Sequence, residues 1–285
     1  MVETRLTELQ YQGYYINLGE HIERDQSLRE HLQSLKLSDQ YMRFDAIRGA
    51  DVAATANSPL NPGSIGCGLS HLQLLSSHRH DGVHLHVLED DAVLHPLLPS
   101  WFSAVPETLP WDLLYTDVYF SMLSPQTFQQ LNRLVQAYQT RGTVVLVNLR
   151  GVPFVGTTSY FANRDSIGKV ADLIGTSWIS RCKHDDHMNQ LVQSGRLLAY
   201  VAIPFLTTRS TLSCRSTIDS EYTSLMQAMD LQRAALFADA NLEELADKAK
   251  QLSLHGPVNS LVTIYAETTR SILKHIDLGV HRKPD

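Results

Sequence analysis

The sequence predicts an α/β protein with a mainly parallel central sheet flanked by helices, followed by a helical C-terminal extension. Up to about residue 204, short apolar runs alternate with amphipathic patterns, and strands that alternate with helices build parallel sheets. From about residue 220 nearly every residue favours helix, and Gly256-Pro257 is the strongest break. The 285 residues, 43% of them hydrophobic and 19% charged, suffice for a substantial core.

The first strand and helix follow one another near the N-terminus. Residues 14–18 form an aromatic and β-branched run that ends at Gly19, which predicts a buried strand. Residues 22–37 place apolar side chains among Glu, Arg and Gln, the pattern of an amphipathic helix. A second short strand is predicted over residues 44–47.

The next segments lead to an acidic triplet, Glu89-Asp90-Asp91. Residues 51–63, rich in Ala, Asn, Ser and Pro, predict a loop, and residues 65–77 predict a helix. Residues 84–88 predict a strand that ends at the triplet. Ligands of open α/β sheets bind beyond the carboxyl ends of the strands, so we expect a binding site there.

Later elements complete the sheet and the tail. The predicted elements are strands over 113–115, 143–148 and 156–162, a helix over 165–174, and two or three tail helices over 220–278. Tail residues Leu242, Leu245, Leu261 and Ile264 mark apolar faces. Core packing is the favoured use of these faces, and a partner or a homodimer contact is the alternative.

Composition excludes several classes of protein. A net charge of -6 argues against a general nucleic-acid binder, which needs a basic face. Cys67, Cys182 and Cys214 are far apart, which indicates reduced thiols in a cytoplasmic protein rather than a disulfide framework. The N-terminus shows no secretory pattern, and no apolar run reaches the roughly 18 residues of a membrane span. Peripheral association with the inner face of a membrane remains compatible with this composition.

The acidic triplet is the sharpest chemical pattern. Three adjacent carboxylates repel one another, and burying them without a cation costs several kcal/mol. At a strand end they offer hard oxygen ligands to Mn²⁺ or Mg²⁺, with bound phosphates completing the coordination. A solvated acidic turn is the alternative interpretation.

Three further groups are candidates for chemistry. Asn17 lies near the end of the first predicted strand, and Arg24 and Arg29 follow it, where an Arg meets phosphate or a nucleobase, or else is solvated or paired. Ser70 and His71 end a glycine-rich stretch without a Walker pattern, and they either face a ligand or cap and pack. The run His184-Asp185-Asp186-His187 offers a general base or metal ligands, and a polar loop is the alternative. Cys67 has no paired base in the sequence, which argues against a cysteine nucleophile.

Four segments, in order, resemble glycosyltransferase family 25, the family of bacterial lipopolysaccharide-type and collagen-type galactosyltransferases. They are Tyr15-Ile16-Asn17-Leu18 with Glu23-Arg24, residues 44–49, residues 64–71 and residues 87–92. The third is close to the family's Gly-Cys-x-x-Ser-His pattern and the fourth to its acidic pattern. Residues 156–160, His184-Asp185 with Met188, Pro204 and residues 216–218 extend the resemblance over residues 11–218. Departures are the missing Asp-Arg-Ser run after the first strand and His184 in place of an apolar residue.

The resemblance implies a GT-A-like nucleotide-sugar-binding domain over residues 11–218, with residues 219–285 as the helical extension packed on it. It implies metal-dependent, inverting transfer of a hexose, galactose first, from a UDP-sugar to a hydroxyl of a glycan such as lipopolysaccharide, or of a protein. Asp91 would hold the cation, Mn²⁺ rather than Mg²⁺, with Asp90 or Glu89 assisting. Asp185, or next Asp186, would be the base. The resemblance also implies that Asn17 and Arg24 hold the nucleotide, and that Ser70 and His71 shape the donor side.

Two other functions remain open at this point. A non-catalytic nucleotide-sugar-binding scaffold or partner subunit would keep the fold and bind UDP without transfer. A metal-dependent phosphohydrolase would need more His and Asp ligands around two metals, and the sequence shows no such density near Glu89.

Overall fold

The structure is a computed structural model that describes residues 10–56, 58–121, 124–210 and 224–251. The strands are β1 Tyr11–Asn17, β2 Tyr41–Asp45, β3 His84–Glu89, β4 Ala92–Leu94, β5 Leu113–Tyr115, β6 Tyr119–Phe120, β7 Val145–Asn148, β8 Phe154–Val155, β9 Ser159–Ala162, β10 Ala199–Ile203 and β11 Thr207–Arg209. The helices are α1 Ile22–Ser34, α2 Gly49–Ala56, α3 Pro62–Ser77, α4 Leu98–Ser103, α5 Pro125–Arg141, α6 Ile167–Ile174, α7 His184–Gln193, α8 Ser224–Ala235 and α9 Leu242–Gln251.

A mixed seven-stranded sheet, in the order β2-β1-β3-β9-β5-β10-β7, forms the centre of the protein. The β1–β2, β1–β3 and β5–β10 pairs are parallel. The pairs of β9 with β3 and β5, and of β7 with β10, are antiparallel. The α/β class is therefore confirmed, and the sheet is mixed: five of its seven strands run in one direction, and β9 and β7 run in the other.

The reversal of β9 follows from the path of the chain. The two-stranded β6–β8 pair follows β5 beyond its carboxyl end. Strand β9 begins shortly after β8, without a crossover helix between them. It therefore enters the sheet from the carboxyl edge and runs back between β3 and β5, since a parallel return needs a crossover connection.

Alternating side chains divide the core into two layers, one on each face of the sheet. Tyr14 and Ile16 of β1 face the layer that contains Leu74 and Leu75 of α3, whereas Tyr15 faces the other layer. The same alternation continues in β3 and β5, as the period of two in a strand requires. Helices α3, α6 and α7 cover the first face, and α1 and α4 contribute to the second.

The predicted loop over residues 51–63 is wrong in part. Its first residues belong to α2, and α3 already begins at Pro62. Asn61 caps α3 by accepting a hydrogen bond from the Ser64 backbone NH at 2.8 Å. Pro at the first helical position and Asn before it are typical of a helix start, so both residues mark a boundary rather than an extended loop.

The C-terminal extension packs on the α/β body through the described helices α8 and α9. Leu231, Leu236 and Leu245 are buried in the first core layer, and the Phe205 backbone NH donates to the Leu236 carbonyl at 2.7 Å. Cys214, residues 216–218, Gly256-Pro257, Leu261 and Ile264 lie outside the described residues. Among the described helices, none has the length and apolarity needed to cross a bilayer.

Candidate functional site

The candidate residues collect at one edge of the sheet. Strands β1, β3 and β5 end there, and Ser159 at the start of β9 pairs with Leu88 near the end of β3. Helix α7 reaches the same edge, because Asp185 accepts a hydrogen bond from the Gly156 backbone NH at 3.2 Å. The carboxyl ends of strands are where open α/β sheets bind ligands, so the fold places these residues where a ligand is expected.

Asp90 joins the acidic turn to the first strand and helix. Its Oδ2 accepts from the Asn17 side-chain amide at 2.9 Å, and its Oδ1 accepts from Arg24 Nη1 at 2.9 Å. His21 Nδ1 lies 3.5 Å from Oδ2. Burial raises the pKa of Asp90, and the charge of Arg24 opposes that rise. Both predicted nucleotide residues, Asn17 and Arg24, therefore hold this carboxylate, whereas Arg29 pairs with Asp25 on the exposed side of α1.

Asp91 is buried and bound by an arginine from β11. Arg209 donates from Nε at 3.0 Å and from Nη2 at 2.9 Å, both to Asp91 Oδ2. Its Nη1 donates to the Tyr119 hydroxyl at 2.8 Å. Burial lowers the pKa of Arg209, but the charge of Asp91 and the contact with Tyr119 outweigh burial. The net shift is upward, so the guanidinium stays charged.

A second buried arginine comes from α8. Arg233 forms an ion pair with Asp117, which follows β5, and lies over the Tyr119 ring with its guanidinium carbon 4.9 Å from the centroid. Burial lowers the pKa of Arg233 to about 10, although Asp91 and Glu89 oppose the shift. The extension thus contributes a charged group to the surroundings of the acidic turn.

Glu89 lies on the other side of the turn, near α3. Its Oε1 accepts from the Thr157 hydroxyl at 2.9 Å and lies 3.7 Å from His71 Nε2. Burial alone would raise the pKa of Glu89, but the interactions with His71, Arg209 and Thr157 outweigh it and lower that pKa to about 2. Glu89 is therefore ionised throughout the physiological range.

Ser70 and His71, although adjacent, do different things. The Ser70 hydroxyl is fully buried, donates to the Gly66 carbonyl at 2.6 Å and accepts from the Ile47 backbone NH at 2.8 Å. These two hydrogen bonds hold α3 against the segment after β2. Ser70 therefore has a packing role and does not face the carboxyl edge of the sheet. His71 is also fully buried, but it faces Glu89 and contacts the Tyr160 hydroxyl through Nδ1 at 3.1 Å.

The run 184–187 is helical rather than a polar loop and forms the first turn of α7. Burial and the charge of Asp186 raise the pKa of Asp185, whose Oδ1 accepts from the Asp186 backbone NH at 3.0 Å. His184 stacks on His71 with ring centroids 5.3 Å apart, and His187 Nε2 lies 3.3 Å from the Leu173 carbonyl. Asp185 is thus the residue of this run whose carboxylate contacts the site edge.

The expected divalent cation fits one of the two predicted ligands better than the other. Asp91 Oδ1 is buried and has no hydrogen-bond partner among the described residues, whereas both oxygens of Asp90 accept hydrogen bonds. A buried carboxylate oxygen without a partner is a costly arrangement that a cation would relieve. The geometry therefore favours Asp91, with Asp90 as the residue that orients the turn.

No protein-family model matches this chain, and a search of curated proteins found no match for it.

Sequence reasoning missed four residues of this site: Arg209, Arg233, Asp117 and Tyr119. Asp117 carried a usable signal, because it follows a predicted strand at the edge where the acidic triplet ends. Arg209 and Arg233 lie 118 and more residues from the acidic turn in segments without a motif, so only the fold brings them there.

Proposed function

We propose that this chain is a glycosyltransferase of the GT-A type that transfers a hexose from a UDP-sugar to a hydroxyl group. The observation that carries the proposal is the buried acidic turn at the carboxyl edge, with Asp90 held by Asn17 and Arg24 and one oxygen of Asp91 left open. This arrangement suits the binding of a nucleoside diphosphate with its cation. The family 25 resemblance of the same residues supports that interpretation.

Asp91 would hold the divalent cation, Mn²⁺ in preference to Mg²⁺. A bound cation of this kind supplies neutralisation of the charge that develops on a departing diphosphate. Arg24 and Arg209 add positive charge on either side of the turn. They would orient the phosphates and stabilise negative charge in the same way.

Asp185 is the proposed general base. Its raised pKa reflects a carboxylate in a desolvated, negative environment, which favours acceptance of a proton. In the proposed step the acceptor hydroxyl attacks the anomeric carbon and gives its proton to Asp185. The bond from that carbon to the UDP oxygen breaks with its electron pair on UDP, which inverts the configuration.

Substitution of Asp91 tests the metal and donor assignments together. We expect UDP-galactose, or another UDP-hexose, to raise the Tm of the wild-type protein only when Mn²⁺ is present. Asp91→Asn should lose that shift and the release of UDP while remaining folded, because the amide keeps an acceptor for Arg209. Asp172→Asn, an exposed carboxylate on α6, is the matched control. Full activity of Asp91→Asn would contradict the metal assignment.

A non-catalytic nucleotide-sugar-binding scaffold is the second candidate. It is favoured by the ion pairs that already neutralise Asp90 and Asp91 within the protein. Metal-dependent stabilisation by a UDP-sugar without transfer to any glycan or protein hydroxyl would select it. Association with a membrane surface and a homodimer belong to the same proposal, and vesicle sedimentation and light scattering would test them.

A further inference from the structure

Helix α3 carries a thiol and an imidazole one turn apart, opposite the end of β3. Cys67 and His71 occupy positions i and i+4, which lie on the same face of a helix. One ligand atom from each of Cys67, His71 and Glu89 lies within 4.8 Å of the other two. We propose that these three residues form a binding site for a borderline-soft divalent cation, Zn²⁺ above all, separate from the cation assigned to Asp91.

The imidazole of His71 is the strongest indication of a ligand. The side chain is fully buried, and its Nε2 has no hydrogen-bond partner among the described residues. The 3.7 Å to Glu89 Oε1 exceeds a hydrogen-bond distance, so a His71–Glu89 hydrogen bond does not satisfy this nitrogen. A buried ring nitrogen aimed at a thiol and a carboxylate is the arrangement of a metal ligand.

Neighbouring groups orient the ligands as metal sites require. The Tyr160 hydroxyl lies 3.1 Å from His71 Nδ1, and the Thr157 hydroxyl donates to Glu89 Oε1 at 2.9 Å. Metal-binding imidazoles characteristically engage their second nitrogen in a hydrogen bond, which fixes the tautomer and the ring plane. Because Tyr160 engages Nδ1, Nε2 is the ring nitrogen that faces Glu89 and remains for a metal.

The donor set selects the metal. A thiolate and an imidazole favour Zn²⁺ over the hard cations Mn²⁺ and Mg²⁺, which prefer oxygen ligands. Cys67 and Glu89 are partly exposed, and in zinc sites with three protein ligands water or a bound molecule takes the fourth position. The carboxylates near Cys67 give the pocket a negative potential that a cation offsets.

The protonation state of Cys67 couples binding to pH. Zn²⁺ binds a cysteine as its thiolate, so binding at this site releases the thiol proton of Cys67. Zinc affinity should accordingly rise with pH.

The test uses metal alone, so its result is independent of the glycosyltransferase proposal. Metal-free protein would be loaded with Zn²⁺, dialysed and analysed by elemental mass spectrometry, and Co²⁺ would be substituted to record a thiolate-to-cobalt charge-transfer band. The variants are Cys67→Ser, His71→Asn, and the double variant Cys182→Ser, Cys214→Ser, which leaves Cys67 as the sole thiol of the chain. Circular dichroism would verify that each variant is folded.

We expect one zinc per chain and a charge-transfer band in the wild type and in the double variant. Cys67→Ser should lose the band, and both Cys67→Ser and His71→Asn should lose zinc. Tyr160→Phe should weaken affinity about 10–100-fold because it removes the partner of Nδ1. Zinc at background level in the wild type, a band retained in Cys67→Ser, or a band lost in the double variant would each overturn the site.

Discussion

The adjacent carboxylates of Glu89, Asp90 and Asp91 have environments that separate their roles. Glu89 is ionised with a pKa of about 2 because His71, Arg209 and Thr157 outweigh its burial. Asp90 has both oxygens occupied and a pKa raised by burial. Asp91 pairs with Arg209 through one oxygen and leaves the other open. Although both residues are aspartates, their environments differ: Asp90 orients the acidic turn, and Asp91 keeps an oxygen that can bind a ligand.

Asp185→Asn should reduce turnover about 10²–10⁴-fold, the usual contribution of a general base, with little change in donor binding. In the wild type, activity requires ionised Asp185, so it should rise with pH through a pKa above the ordinary value of an aspartate. Asp186→Asn removes a charge that raises this pKa and should shift the acid limb of the pH profile to lower pH. Steady-state UDP release and UDP-sugar titration across pH measure both effects.

Asp186→Asn also serves as the matched control, since it should remain active. If Asp185→Asn retained wild-type turnover, the base would have to be Asp186 or His187. An acid limb that did not move in Asp186→Asn would show that another group controls it.

At the residue scale, the sequence predicted the groups that belong to a local pattern. Asn17, Arg24 and Asp90 lie at or just after the ends of two predicted strands, and Asn17 and Arg24 each donate to Asp90 at 2.9 Å. For Ser70 the sequence leaves ligand contact and packing open, and its hydroxyl packs by hydrogen bonding to the backbone of Gly66 and Ile47. Arg209 and Tyr119 were not found, because their proximity to Asp91 depends on strand order and not on spacing in the chain.

At the element scale, the approach of α3 to the segment after β2 depends on glycine. A Cβ added to Gly66 would lie 2.5 Å from the Ile47 carbonyl oxygen and 2.7 Å from the Gly49 backbone nitrogen. Gly66→Ala should destabilise the protein by about 1–3 kcal/mol, the usual cost of overpacking. It should also move Ser70, His71 and Cys67, so zinc binding should weaken as well. Urea unfolding and zinc titration provide the two measurements.

Gly168→Ala is the matched control on α6, because a Cβ there meets nothing within 4 Å. It should change stability by no more than about 1 kcal/mol, in the stabilising direction. Equal stability of the Gly66 and Gly168 variants would contradict the close approach of α3.

The attachment of α8 rests on a buried charge. Arg233→Ala would leave Asp117 buried without its ion-pair partner, so it should reduce stability by about 3–5 kcal/mol. Combining Arg233→Met with Asp117→Asn should recover part of that loss, because no charge is then left unpaired. Lys248→Ala removes an exposed i,i+4 pair with Glu244 on α9 and should change stability by less than about 0.5 kcal/mol. A similar effect of the Arg233 and Lys248 substitutions in chemical unfolding would refute this attachment.

The elements that sequence patterns predicted best are those with an amphipathic pattern or a short apolar and aromatic run, such as β1, β3, β5 and α1. Helix α2 was predicted as loop because its Ala-rich segment adjoins Asn, Ser and Pro. The direction of β9 was not predictable, because the residue pattern of a buried strand does not indicate whether it runs parallel or antiparallel to its neighbours. Its reversal is decided by the β6–β8 pair, a contact between distant segments.

At the scale of the whole molecule, a polar chain crosses the apolar core. His86 of β3 is fully buried and contacts the Tyr41 hydroxyl at 2.5 Å and the Ser159 hydroxyl at 2.9 Å. Ser159 in turn accepts from Thr116 at 2.5 Å and Thr207 at 3.2 Å. This network joins β2, β3 and β9 to the segments after β5 and β10, so its protonation affects the whole sheet.

Acid should destabilise the molecule through this buried imidazole. Burial lowers the pKa of His86 from 6.5 to about 3 and that of His84 to about 4, the latter also through Arg164. Below pH 6.5 these two histidines bind protons in the unfolded chain but stay neutral in the folded chain. The free energy of unfolding therefore falls as pH falls, with a slope that approaches about 1.4 kcal/mol per pH unit for each histidine. The loss should be measurable between about pH 6.5 and 5, above the range where Glu89 protonates and removes its own contribution.

Urea unfolding at stepped pH should give a shallower slope for His86→Gln, despite its lower stability at neutral pH. The exposed control His80→Gln should keep the wild-type slope, and an unchanged slope in His86→Gln would remove His86 as the source.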